Sequence, residues 1–273
     1  MDGEAGTRVA QLRRMTGKRF MPVPGDVVYV RILEDDRAVV DRIDPRTFTL
    51  ERRTAEGRSK TMAANVDTLV TVTALAHPAP RTVALDQLLA FAELQNIDAA
   101  VVLTKPDLAS ARERTELVHT YAALDYPVLV TNPKRGENVE SLREFLGGRH
   151  AMLSGISGVG KSTIFRALGG EGTIGEVSRH GLGRQTTTAA RLYRLGDGFL
   201  IDSPGINEFG LGSIAPRELA EAFREMREPQ LHCRFGDCTH LQEPGCAVRE
   251  AVEAGTVAAS RYASFAKIAQ GSA

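Results

Sequence analysis

Residues 155–163 read Gly-Ile-Ser-Gly-Val-Gly-Lys-Ser-Thr, the GxxxxGK[ST] spacing that lets main-chain N–H groups close around phosphate oxygens. Gly155, Gly158 and Gly160 give the loop its backbone freedom, and Ile156, Ser157 and Val159 complete it. Lys161 is spaced to reach the β- and γ-phosphates, Ser162 to ligate the accompanying Mg²⁺, and Thr163 to begin the next helix. The apolar run 150–154 supplies a buried strand before the loop, and residues 163–168 have apolar positions at helical spacing after it. The competing reading, a glycine turn that matches by chance, lacks any need for that strand-to-helix setting.

About 40 residues on, Asp202-Ser-Pro-Gly205 closes the apolar run 199–201. A carboxylate at a strand end can hold a magnesium shell, and the Gly205 N–H can approach a γ-phosphate. Taken alone this is also an ordinary turn. Thr104-Lys105-Pro106-Asp107 directly follows the strand-like run 99–103 and resembles the guanine-reading NKxD signature of GTPases. There the carboxylate accepts from guanine N1–H and N2–H₂, donors that adenine does not offer, and the lysine stem lies against the ring. Thr104 stands where Asn is usual, which predicts a weaker tether on the loop; Pro and Asp in the first turn of a helix are the bland alternative. Between the phosphate loop and Asp202, Gln185-Thr186-Thr187-Thr188 ends a glycine-rich polar segment. A threonine there, Thr187 or Thr186, can complete the Mg²⁺ shell and make the segment a switch.

The three cysteines all lie in one short stretch. Cys233, Cys238 and Cys246 with His240 make a Cys₃His set suited to tetrahedral structural Zn²⁺, against the alternative of three free thiols. Four protein ligands leave no open coordination position. His232 adjoins the set, and His77, His119, His150 and His180 show no metal spacing.

These residues need a frame that brings distant loops to one place. From about residue 65 the chain alternates strand and helix patterns: strands at 70–75, 99–103 and 126–131, helices at 85–94, 109–124 and 139–146. That is the signature of an α/β unit with a parallel sheet. Beyond the phosphate loop, 191–195 and 199–202 read as strands joined by the turn 196–198. Residues 1–64 form a separate β-rich unit, with strands at 26–32, 37–43 and 46–50. Ahead of them Arg8, Arg13, Arg14, Lys18 and Arg19 cluster without an acid, either a phosphate-facing patch or a solvated charged face.

Composition narrows the class. An apolar fraction of 42% with 25% charged residues is ordinary for a soluble globular protein, and no apolar run approaches a membrane span. The first residues carry Asp2 and Glu4 and no apolar block, so the expectation is a cytoplasmic protein with no membrane partner. Lys plus Arg equals Asp plus Glu at 34 each, so any nucleic-acid surface must be local.

The order of the motifs is distinctive. The guanine-reading segment precedes the phosphate loop, as in circularly permuted GTPases, in which the same strands line up in one sheet and only the chain ends move. With Ala64-Asn-Val-Asp67, the TKPD segment, GISGVGKST, GLGRQTTTAARLY, IDSPGINEFGL and the Cys₃His cluster in place, the chain from about Gly25 to Gly255 resembles the ribosome small subunit-dependent GTPase A (RsgA) family. The resemblance implies an α/β fold in three parts: a partial OB-fold over 1–64, a circularly permuted P-loop GTPase domain over 65–212 and a zinc-binding helical domain over 213–273. It implies a GTP hydrolase whose GTP and GDP states bind and release the small ribosomal subunit and its rRNA during late maturation, acting as a monomer. Lys161, Gln185 and Thr187 would be catalytic. Thr104 to Asp107, Gly155 to Thr163, Asp202 and Gly205 would bind GTP. Three departures stand out: the N-terminal unit is short and lacks the first strands of a complete OB-fold, Gln185 replaces the usual His before the threonines, and Thr131-Asn-Pro-Lys134 differs from the usual small-residue loop that supports the base. At the position where Ras-like enzymes carry a water-orienting Gln stands Ile206, so Gln185 is expected to orient water through its amide. A zinc-containing RNA-binding module with vestigial hydrolysis is the alternative from a different class.

Overall fold

A computed structural model describes residues 10–12, 22–33, 38–53, 59–169, 175–177, 190–202, 211 and 214–271. Its centre is a seven-stranded sheet. Strands β6 (Thr68–Ala74), β7 (Asp98–Thr104), β8 (Val128–Thr131), β9 (His150–Ser154) and β12 (Gly198–Asp202) run parallel in the spatial order β12-β9-β6-β7-β8. β11 (Ala190–Leu195) and β10 (Gly175–Val177) extend it antiparallel beyond β12. The middle strands read as unbroken apolar runs because both faces are covered; every residue of β6 is buried.

The crossovers are α1 (Thr82–Gln95), α2 (Ala111–Ala122), α3 (Val139–Leu146) and α4 (Lys161–Ala167). α1 stops at Asn96, whose left-handed backbone (φ 54°) lets the chain turn straight into β7. α2 starts two residues later than the sequence pattern predicts, because Ser110 and Glu113 form a reciprocal capping box. That boundary matters for the site. Pro106–Leu108 is a separate 3₁₀ turn, so Pro106 and Asp107 do not simply open α2.

The N-terminal unit has five described strands where the sequence pattern supplied three. β1 (Ala10–Leu12), β3 (Ala38–Ile43) and β2 (Val28–Ile32) form one sheet in that order, and β4 (Thr49–Arg53) pairs with β5 (Ser59–Ala64). β5, Ser-Lys-Thr-Met-Ala-Ala, carries little β-branched or aromatic signal, and its pairing with β4 makes it a strand. Arg46 clasps Asp26 with two bonds of 2.7 and 2.9 Å. Gly25 (φ +89°) lies so close to the Ala64 carbonyl that a Cβ would come within 2.0 Å of it. In the Ala64-Asn65-Val66-Asp67 joint, Asn65 donates to the Gly25 carbonyl at 2.9 Å and Asp67 accepts from the His150 N–H at 3.0 Å. The joint therefore ties the N-terminal unit to the strand that leads into the phosphate loop.

The C-terminal unit contains α5 (Pro216–Glu221), α6 (Ala247–Glu253) and α7 (Ala259–Ala269), with 3₁₀ turns at Arg224–Met226 and Pro229–His232. It packs on α1. Arg261, 1% exposed, lies between the carboxylates of Asp86 on α1 and Glu225, while Arg224 and Arg227 both reach Glu93, at 2.7 and 2.6 Å. Tyr121 from α2 donates to Asp86 at 2.9 Å. Among the described residues no helix is long and apolar enough to cross a membrane.

Candidate functional site

Parallel strands deliver their following loops to one edge, so residues far apart in sequence meet there. β9 ends at Ser154 and passes into the 155–160 loop, β7 ends at Thr104, β8 at Thr131, and β12 at Asp202. Asp202 pairs in register with Leu153, two residues before the loop. Gly155 (φ +147°) sits where any side chain would collide: a Cβ would fall 2.1 Å from the Val72 carbonyl. The loop thus enters against β6 at a distance only glycine allows.

The phosphate loop and the TKPD turn are bonded to each other. The Thr104 hydroxyl, buried, donates to the Val159 carbonyl at 2.6 Å; the Thr73 carbonyl is farther, at 3.4 Å. Thr104, which stands where Asn is usual, thus reaches the loop through its short β-branched hydroxyl. Lys105, left-handed at φ 57°, donates to the Gly158 carbonyl at 2.8 Å and to the carbonyl of His77. Its stem is thereby fixed over the loop.

Lys161, the first residue of α4, is buried, with Nζ on the carbonyls of Gly155 (2.5 Å) and Ile156 (2.9 Å). Burial pulls its pKa down, and the Asp202 charge opposes that shift. Among the described residues, the hydrogen bonds this cation would leave when a phosphate arrives are those to the loop carbonyls. Ser162 is exposed at the mouth of the loop, and Asp202 is largely buried at the end of β12.

Asp107 shows what sequence reasoning missed. Its Oδ1 accepts from Asn132 Nδ2 at 3.0 Å, and its Oδ2 lies 3.5 Å from the Arg135 guanidinium. A carboxylate can only accept here, which fixes which end of the Asn132 amide faces it. The departure at 131–134 was visible in the sequence; the contact was not. Gln185, Thr186, Thr187, Gly205 and Ile206 lie outside the described residues, as do Arg8, Arg13, Arg14, Lys18 and Arg19.

In the C-terminal unit the ligand atoms of Cys233, Cys238, His240 and Cys246 all lie within 4.8 Å of one another. Sγ of Cys233 and Cys246 stand 3.5 and 3.6 Å from His240 Nδ1 and 3.9 Å from each other. A tetrahedral centre with Zn–S of about 2.3 Å has edges of about 3.8 Å, so the donor set fits. Burial pushes Cys238 up to about 12 and raises Cys246 as well, so these sulfurs stay protonated unless a cation takes the proton's place. His232 is not part of the set; it pairs with Glu228 at 2.8 Å. His150 is structural, stacked on Phe199 with Nδ1 at the Asn65 carbonyl.

A family model of the RsgA GTPase matches residues 43–212. The small ribosomal subunit biogenesis GTPase RsgA of Gemmatimonas aurantiaca is 42% identical over 237 residues, covering 85% of this chain and 77% of its own length. The protein of the same description from Chromohalobacter salexigens is 39% identical over 257 residues, covering 91% and 75%. Among solved structures, YjeQ from Thermotoga maritima superposes with a TM-score of 0.72 at 32% identity, covering 96% of this chain and 89% of that one. YloQ, described as a circularly permuted GTPase, gives 0.71 at 25% identity, covering 99% and 88%.

Proposed function

The chain belongs to the RsgA GTPase family, as a GTP hydrolase of small ribosomal subunit biogenesis, and from that premise we propose how its own residues do the work. The observation that carries the reading is the bonding of the TKPD turn to the phosphate loop at the carboxyl edge of one parallel sheet, through Thr104 to Val159 and Lys105 to Gly158. Base and phosphate sites are thereby held at a fixed separation, which a nucleoside triphosphate requires.

In this reading Asp107 accepts from the guanine edge while the Lys105 stem, with Thr104 and Pro106 shaping the turn, lines the ring. Gly155 to Gly160 wrap the phosphates, and Lys161 moves from its loop carbonyls onto the β- and γ-phosphate oxygens as negative charge grows there. Mg²⁺, when bound with GTP, neutralises charge on the β- and γ-phosphates. Ser162 and Thr187 would ligate it, Asp202 would hold its outer shell and Thr163 would continue the cradle. Gly205 would meet the γ-phosphate, and Gln185 would orient the attacking water. The Cys₃His set would hold one structural Zn²⁺, with no part in hydrolysis. The protein would work in the cytoplasm as a monomer, releasing the subunit and its rRNA when GTP becomes GDP.

The test is steady-state hydrolysis of GTP and ATP by the purified protein alone, with small subunits and with large subunits. Stimulation by small subunits alone, with ATP inert, is the expected outcome; equal stimulation by large subunits, or equal use of ATP, would sink the reading. In the same assay Gln185→Ala should slow stimulated turnover about tenfold or more with GTP affinity unchanged. A rate equal to the parent's would remove Gln185 from the mechanism.

A further inference from the structure

The Asp107 carboxylate satisfies only part of guanine's edge. N1–H and N2–H₂ are donors that a carboxylate can accept, but O6, beside N1, is an acceptor and needs a donor of its own. The loop that faces Asp107 is the turn after β8. Its second residue is Pro133, which has no N–H to offer. Yet the residue before it, Asn132, is 4% exposed and already points its amide nitrogen at Asp107 Oδ1 at 3.0 Å.

An amide nitrogen carries two hydrogens. One is spent on Asp107; the other extends from the same nitrogen, beside the carboxylate that would meet N1–H. We propose that Asn132 determines base specificity twice over, holding Asp107 in orientation and donating its second N–H to O6. The inference rests on the guanine-site reading above and adds the donor that reading lacks.

Rigidity favours Asn132 over its neighbours. Its backbone exchanges two bonds of 3.1 Å with Glu137, and the Thr131 hydroxyl donates to the same Glu137 carbonyl at 2.8 Å. Arg135, the other side-chain donor found near Asp107 among the described residues, has a side chain 61% exposed and stands 3.5 Å from Oδ2. Such an exposed ion pair contributes little and orients poorly.

The experiment is competitive binding of GTP, 6-thio-GTP, ITP and ATP to the full chain and to its Asn132→Ala, Asn132→Ser and Arg135→Ala variants. 6-Thio-GTP keeps N1–H and the 2-amino group but weakens the acceptor at position 6; ITP lacks only the 2-amino group and reports on Asp107. The parent should prefer GTP over 6-thio-GTP by about tenfold, the value of one well-placed hydrogen bond. Asn132→Ala should bring that ratio close to one and also weaken discrimination against ITP. Asn132→Ser has a single hydroxyl hydrogen, so it should recover the ITP discrimination and not the 6-thio-GTP preference. Adding Pro133→Ala to Asn132→Ser, which restores a main-chain N–H, should bring the preference back. Arg135→Ala should leave both ratios within about twofold.

Retention of the parent's GTP to 6-thio-GTP ratio in Asn132→Ala means a main-chain N–H reads O6, and the proposal is overturned. Should that variant not fold, Asn132→Ser with an unchanged ratio overturns it equally. Collapse of the ratio in Arg135→Ala moves the assignment away from Asn132 and overturns it too. If the parent itself binds ATP as tightly as GTP, the guanine-site reading fails first and takes this inference with it; a selective parent with unaffected variants sinks the inference alone.

Discussion

The nucleotide edge draws its residues from strands spread between Thr104 and Asp202, whereas the metal-ligand side chains all fall between Cys233 and Cys246. At the edge the protein supplies the positions itself. Thr104 holds Val159, Lys105 holds Gly158, and Lys161 rests on its own loop, all by protein hydrogen bonds. Around the cysteines the chain makes 3₁₀ turns and bends, and what brings the side chains together is a donor set suited to a cation: thiols, two of them buried, and a His240 whose Nδ1 faces two of the sulfurs. In one region hydrogen bonds within the protein set the site; in the other, four side chains of metal-ligand type converge on one point.

With Zn²⁺ in the proposed Cys₃His site, its removal should separate the two regions most strongly. Structural Zn²⁺ contributes on the order of 10 kcal/mol in small domains. Chelation, or Cys246→Ser, should therefore open residues 229–246 to amide exchange while GTP affinity stays within a few-fold of the parent. Loss of nucleotide binding in step with the metal would show that the sheet edge depends on the C-terminal unit after all.

The join between the regions gives the next effect. Arg261 pairs with both Asp86 and Glu225, and all three side chains are buried. Arg261→Ala would leave two unpaired carboxylates, a loss of about 3–5 kcal/mol. Asp86→Asn should cost less, because the Arg261–Glu225 pair stays balanced. The pH dependence has a definite sign. Burial already raises the Asp86 pKa, with Arg261 opposing the shift. A carboxyl whose folded-state pKa is raised favours the fold when protonated, so the Arg261→Ala deficit should shrink as pH falls and grow as it rises. Melting temperatures at several pH values decide it; a deficit independent of pH would mean lost packing rather than stranded charge.

Within the edge, Lys161→Ala should lower GTP affinity by about a hundredfold, since it removes a charge-assisted contact of about 2–3 kcal/mol. The melting temperature should move little, because the lysine's partners are carbonyls of its own turn. A comparable loss of stability would show that Lys161 supports the fold as well as the ligand.

The contrast also explains what the sequence made legible. The phosphate loop, the TKPD segment and the Cys₃His set are local patterns whose chemistry follows from residue type and spacing, and strands such as His150–Ser154 and helix Val139–Leu146 sit where apolar periodicity put them. What stayed hidden is relational. β5 is a strand only because β4 lies beside it. The contact of Asn132 with Asp107 exists only because β7 and β8 are parallel neighbours, with Thr104 opposite Thr131. The Arg261–Asp86 pair joins residues 175 positions apart, a separation over which periodicity carries no information.

The smallest effect is the sharpest test of how the edge is held. Thr104→Val keeps the β-branched shape and removes one hydroxyl, so the Val159 carbonyl loses its 2.6 Å donor inside a buried site. Losing that bond should cost about 1 kcal/mol, and a phosphate loop less firmly placed against the base-reading turn should bind GTP about fivefold more weakly. The melting temperature and the GTP titration should shift together, because one bond serves both. A stability loss with unchanged affinity would mean that Lys105, through its bonds to Gly158 and His77, is enough to set the distance between base and phosphates. Thr104 would then be a core residue that happens to stand beside the site.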